Sequence, residues 1–82
     1  MRIAVDISLY PLNATFIPPI QGFIDRLNGH AGLHVETNAL STQVSGDYEL
    51  VFAALQQEIR ETFTGPDRAV FVMKVLGGAD RP

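Results

Sequence analysis

Asp6, Ser8 and Tyr10 stand at alternate positions of the segment RIAVDISLY, Arg2 to Tyr10. If that segment is extended, a carboxylate, a hydroxyl and a phenol line up about 7 Å apart on one face. Such a row can oppose a cation through Asp6 and offer the Tyr10 ring as a stacking surface. It is equally the polar side of an ordinary solvated strand. Asp6 lies between the apolar Val5 and Ile7, where a charge buried without a partner would be costly. A second polar group follows at Asn38-Ala39-Leu40-Ser41-Thr42-Gln43. Asn and Gln amides present donor and acceptor together, which suits the edge of an aminopyrimidine or an amide. The Asn, Ser and Thr of this group also shape turns by bonding to nearby backbone. The spacing supports both readings.

Catalytic chemistry finds less support. His30 and His34 are four apart, but the stretch around them is punctuated by Gly29 and Gly32. They therefore do not share a helix face, so no metal pair is expected and both are read as solvent-facing. Glu58 and Glu61 are read as the solvated side of a helix. Neither G-x-S-x-G nor a metal-ligand box occurs, and Gly77-Gly78 comes too late to cradle a phosphate before a helix. With no cysteine in the chain, disulfides, thiolate zinc sites and cysteine nucleophiles drop out. The expectation is a protein without enzymatic activity, metal or cofactor.

Charge narrows the partners. The 82 residues carry a net charge of -3, with Arg2, Arg26, Arg60, Arg68, Lys74 and Arg81 scattered along the chain. Phosphate neutralisation supplies most nucleic-acid affinity, so a chain without a basic cluster is expected to bind none. No apolar run approaches the roughly 20 residues of a membrane span, and Met1-Arg2 leads directly into the first alternating segment, unlike a signal peptide. A cytoplasmic location without membrane insertion is expected. At this length one domain is expected, burying only about 60% of its unfolded surface. A core that thin gains from self-association.

The elements that must hold these residues follow from periodicity. Ile3, Val5, Ile7 and Leu9 alternate with the polar row, predicting a strand over 2–10 that Pro11 ends. Phe16, Ile20, Phe23, Ile24 and Leu27 recur at helical spacing over 16–28, with Pro18 and Pro19 suited to a first turn. Residues 33–40 and 41–45 read as two strands of a hairpin. Asp47 is a candidate N-cap for a helix reaching Thr64, with Val51, Leu55, Ile59 and Phe63 on its buried side. Ala69 to Leu76 is almost continuously apolar, which predicts a central strand. The order is βαββαβ, so an α+β, ferredoxin-like fold is expected: a four-stranded antiparallel sheet with two helices on one face. That domain spans 1–76, and 77–82 is expected to be a frayed tail. The uncovered face, carrying Asp6, Ser8 and Tyr10, must meet solvent, a ligand or another subunit.

The segments DISLYPL (6–12), IPPIQGFIDRLN (17–28), ETNALSTQVSGDYE (36–49) and VFVMKV (70–75) resemble the small thiamine-binding, YkoF-like proteins. The likeness covers nearly the whole chain except its tail, and NALSTQVSG is its most specific part. Ser45 departs from it, standing where a bulky apolar residue precedes the glycine in a Q-V-F-G pattern. The resemblance implies a ferredoxin-like domain that assembles through its sheet into homodimers or homotetramers. It also implies non-catalytic binding of thiamine or its hydroxymethylpyrimidine part, in the service of thiamine uptake or salvage and linked to a transporter. Asp6 or Glu36 would then oppose the thiazolium charge. Asn38, Ser41, Thr42 and Gln43 would read the pyrimidine edge, Tyr10 or Phe71 would stack on a ring, and Ser8 would add a hydrogen bond.

Two other classes stay open. Ferredoxin-like dimers can enclose a catalytic cavity, with His34, Tyr10 or Asp6 as acid or base. Alternatively the bare sheet joins subunits in an interaction or regulatory protein that takes no small ligand.

Overall fold

The structure, a computed structural model, describes residues 1–81. Six elements follow one another: β1 (Arg2–Pro11), α1 (Ile17–Asn28), β2 (His34–Thr37), β3 (Thr42–Asp47), α2 (Tyr48–Phe63) and β4 (Ala69–Gly77). The strands form one antiparallel sheet in the order β2-β3-β1-β4, with both helices on one face. This is the α+β, ferredoxin-like fold.

Local chemistry sets the element bounds. Ile3, Val5, Ile7 and Leu9 of β1 are buried, so alternation alone decides which face of the inner strand points inward. Phe23 and Leu27 of α1, Val44 of β3, and Val51, Ala54 and Leu55 of α2 complete the core. Pro18 and Pro19 sit in the first turn of α1, where no intrahelical N–H bond is lost. The second strand stops at Thr37 rather than continuing to Leu40. There the Asn38 side chain accepts hydrogen bonds from the amides of Leu40 (2.9 Å) and Ser41 (3.1 Å), turning the chain. Asp47 occupies the cap position of α2 but makes no side-chain cap bond; its carboxylate meets the Met1 amino group at 3.4 Å instead.

The sheet order corrects one expectation. β4 is an edge strand beside β1, not a central one. Each helix carries the chain over one intervening strand, α1 from β1 to β2 across β3, and α2 from β3 to β4 across β1. That leaves β1 and β3 inside. The apolar run of β4 therefore is not consumed within the chain. Val70, Val72 and Leu76 are exposed on the uncovered face, and Met73 and Val75 are exposed at the margin of the covered one.

The chain end also departs from a frayed tail beginning at Gly77. Gly77 pairs with Ile3 in β4, and the Ala79 amide donates to the Arg2 carbonyl at 3.2 Å. Pro82 lies outside the described residues.

Between the helices, two side chains expected in solvent are drawn inward. Glu58 is only 5% exposed. It accepts hydrogen bonds from Arg26 Nε at 2.8 Å and pairs with His30 Nε2 at 2.6 Å. Arg26 also donates to Thr62 Oγ1 at 2.9 Å. Burial by itself would raise the Glu58 pKa, but the His30 and Arg26 hydrogen bonds outweigh it and hold the carboxyl below its ordinary value. His30 closes the end of α1 onto α2, whereas His34 lies exposed against Glu36 at 2.9 Å. Among the described residues no helix is long and apolar enough to cross a membrane.

Candidate functional site

The register of the sheet assembles one transverse row on the uncovered face. Glu36 of β2 pairs with Gln43 of β3, Gln43 with Asp6 of β1, and Asp6 with Lys74 of β4. Four residues distant in sequence thus share one side of four adjacent strands, because antiparallel partners point to the same face.

Asp6 is the hub. Its Oδ1 accepts hydrogen bonds from the Ser41 hydroxyl and from Gln43 Nε2, the latter at 2.8 Å. Gln43 Nε2 also donates to Ser41 Oγ at 2.8 Å, and Asn38 Nδ2 donates to Gln43 Oε1 at 3.2 Å. The hydrogen bond from Ser41 first, then that from Gln43, and the Lys74 charge after them hold the Asp6 carboxyl below its ordinary pKa against the opposing effect of desolvation. The result is an ionised carboxylate fixed by its neighbours through one oxygen. Among the described residues Oδ2 takes no hydrogen bond, so it is the atom available to a cation or to an amino group.

Asn38, Ser41 and Gln43 are thus brought together with Asp6, but mostly to bond one another. Their amides and hydroxyl hold the carboxylate and shape the turn. Ser8 and Tyr10 continue the Asp6 face toward the end of β1, opposite Val72 and Val70. The Tyr10 ring is exposed. Ser45, on the same face between Ala4 and His34, leaves the surface low where a bulky residue would rise beside Gln43.

Two expected residues lie on the other face. Thr42 pairs with Ile7 and is buried, its hydroxyl 3.0 Å from Thr37 Oγ1. Phe71 pairs with Leu9 and packs into an aromatic cluster, its ring centroid 4.9 Å from Phe23 and 5.5 Å from Phe63. Phe71 cannot stack on a ligand at the uncovered face. A strand apolar on both sides does not reveal which parity points inward, and only pairing with Leu9 settles it.

Beside Ser41 the sheet opens into a cavity of about 180 Å³. Its floor is Ile7 to Tyr10 of β1, its rim Thr37 to Thr42, and its back wall Ile20, Phe23 and Ile24 of α1. Ligand sites commonly run from about 300 to 1,000 Å³, so this one has room for a single ring rather than a large molecule. The helical wall was not foreseen as part of a site, because its residues carry the same spacing as ordinary core. The sole hint was Leu40, an apolar residue in a polar turn, 89% exposed at the cavity mouth.

Residues 2–73 match the sequence model of the YKOF-related family. No curated protein matches the chain significantly. Among solved structures, a hypothetical protein of Methanocaldococcus jannascii superposes with a TM-score of 0.83 at 24% identity, covering 99% of this chain and 84% of its own. A Thermotoga maritima protein provisionally assigned to thiamine biosynthesis or salvage superposes with a TM-score of 0.69 at 20% identity, over 98% and 87%. A Streptococcus pneumoniae protein reaches a TM-score of 0.75 at 14% identity, over 95% and 88%. At such identities these likenesses establish the fold.

Proposed function

The chain belongs to the YKOF-related family, and from that premise we propose that it binds thiamine or a related hydroxymethylpyrimidine without converting it. The observation that carries the reading is the ionised Asp6 carboxylate on the uncovered face, held by Gln43 and by Ser41, the latter also lining a ring-sized cavity. Thiamine joins a permanently charged thiazolium to a neutral aminopyrimidine. Asp6 Oδ2 opposes the first across the uncovered face, where Tyr10 offers its ring and Ser8 a hydroxyl. The cavity receives the second. The assignment of the Thermotoga maritima relative to thiamine biosynthesis or salvage points the same way.

A phosphorylated ligand fits less well, since Lys74 is the one basic side chain in the row across from Asp6. The Ser41 hydroxyl and the Asp6 carboxylate bond each other and Gln43 in a network that holds the carboxylate in place, which suits binding without turnover. The protein acts in the cytoplasm, in thiamine uptake or salvage beside a transporter. It works as a homodimer or homotetramer joined through its sheets, which would cover Val70, Val72 and Leu76. The same apolar strip favours a second reading, an interaction protein whose sheet joins subunits and takes no small ligand.

A thermal melt separates the two. Protein unfolded, dialysed and refolded to strip carried-over ligand is heated with and without thiamine. At a hundred times its dissociation constant a ligand adds about 2.7 kcal/mol, which raises the midpoint of a domain this small by roughly 10–20 °C. No shift with thiamine, its phosphates or the free pyrimidine would discard the binding reading in favour of the second.

A further inference from the structure

The two edges of the sheet differ in length and in chemistry. β2 is four residues long, carries the exposed, polar His34 and Glu36, and runs straight into the Asn38 turn. Short, polar edges resist pairing with other chains. β4 is nine residues long and pairs with β1 without a bulge, one residue to one, from Ile3↔Gly77 to Pro11↔Ala69. It contains no proline, and Lys74 is its single charge. Val70, Val72 and Leu76 on one face, and Met73 and Val75 on the other, are each 43–62% exposed.

The main chain of this edge is open as well. The Leu12 amide donates to the Arg68 carbonyl, one step beyond the pair of Pro11 and Ala69. In an antiparallel ladder, pairs that exchange hydrogen bonds alternate with pairs that do not. The even positions of β4 therefore bond to β1, and Ala69, Phe71, Met73, Val75 and Gly77 direct their N–H and C=O outward. Pro11, without an N–H, accordingly stands in a non-bonded pair. Among the described residues β4 has no second neighbour, and none of these outward groups takes another main-chain partner.

We propose that this edge is completed by β4 of a second copy of the chain, antiparallel about a two-fold axis at Met73, so that two four-stranded sheets become one. This contact rests on the homo-oligomeric reading above, names its edge and register, and is independent of the thiamine reading. The occupant must be apolar on both faces, because the residues flanking the edge are apolar on both. Among the described strands β4 alone qualifies. β1 carries Asp6 and Ser8, β2 exposes His34 and Glu36, and β3 carries Gln43 and Ser45.

An axis through a residue pairs odd positions with odd ones, so open groups meet open groups. Centring on Met73 sets Phe71 opposite Val75, Val70 opposite Leu76 and Lys74 opposite Val72, and every residue of β4 gains a partner. Centring on Lys74 would bring two ammonium groups side by side, where like charges repel. Centring on Val72 would set the apolar Leu76 opposite Arg68, outside the strand.

The test uses the full chain labelled with 15N. In the assembled protein, amide exchange at Phe71, Met73 and Val75 is expected to be at least tenfold slower than in the dissociated chain. Val72 and Lys74, already bonded to β1, should change far less. Met73→Pro removes an outward N–H without touching the β1 ladder. It should leave the chain folded by circular dichroism and lower the association constant, followed by light scattering, at least tenfold. The chain has no cysteine, so oxidation reads the register. Met73→Cys should crosslink two copies, since bonded partners lie about 5.5 Å apart at Cα, within disulfide range. Val75→Cys, opposite Phe71 of the second copy, should not. An assembly that forms with the odd amides unprotected and survives Met73→Pro overturns edge pairing and leaves the homo-oligomer standing. Crosslinking by Val75→Cys in place of Met73→Cys overturns the register. A chain that stays single at millimolar concentration overturns both the edge contact and the homo-oligomeric reading.

Discussion

Asp6 joins sequence position to chemistry most directly. Its two donors, Ser41 and Gln43, lie some 35 residues away in the chain and arrive through the β1–β3 register. Asp6→Asn keeps the size of the side chain and removes its charge, so thiamine affinity should fall at least tenfold by calorimetry. The neutral aminopyrimidine should lose far less; equal losses would place the cation elsewhere. Acid sensitivity follows from the same bonds. Asp6 and Glu58 both have carboxyl pKa values lowered in the folded chain. The unfolded chain therefore takes up more protons as the pH falls, and the stability contributed by these groups is present above the unfolded values near 4. It is lost as the pH drops through the folded values. The urea midpoint should decline between pH 5 and pH 2, and the decline should be shallower in Asp6→Asn. Glu58→Gln leaves Arg26 and His30 facing a neutral amide, and is expected to cost about 2 kcal/mol in chemical denaturation at neutral pH.

Elements decide where the site opens. The turn after β2 depends on Asn38, whose carbonyl oxygen holds two backbone amides and whose amide nitrogen reaches Gln43. Asn38→Ala is expected to lower stability by about 1 kcal/mol and to weaken ligand binding further, since the rim of the cavity loosens with the turn. A loss of stability with unchanged affinity would separate the turn from the site. β4 presents the opposite case, an apolar strand at an edge. Exposed edges invite pairing with another chain, and Val72 is exposed on the uncovered face. Val72→Asp should leave the monomer folded while shifting the mass measured by light scattering to that of one chain. An unchanged assembly would place the subunit contact away from this face.

For the whole molecule, pattern and topology contributed different things. The alternation of β1, the stripes of both helices and the element order are local, because a period of two or of 3.6 writes itself into neighbouring residues. From them followed the βαββαβ order, the single uncovered face, and the placing of Asp6, Ser8 and Tyr10 upon it. The polar run 38–43 was also legible as either turn or site; in the structure Asn38 makes the turn, and Ser41 and Gln43 secure Asp6. Register and layer order are not local. Hydrophobicity does not say which strands lie inside, so β4 read as central, and an apolar run hides which of its faces is covered, so Phe71 read as ligand-facing. Glu58 carried the marks of a solvated helix position, and only the approach of α1 brought Arg26 and His30 to its carboxylate. The cavity beside Ser41 is the extreme case, since three separate segments of the chain meet around it. No side-chain pattern can announce it. It exists because β3 turns away one residue pair too soon, and that is a fact of the folded sheet alone.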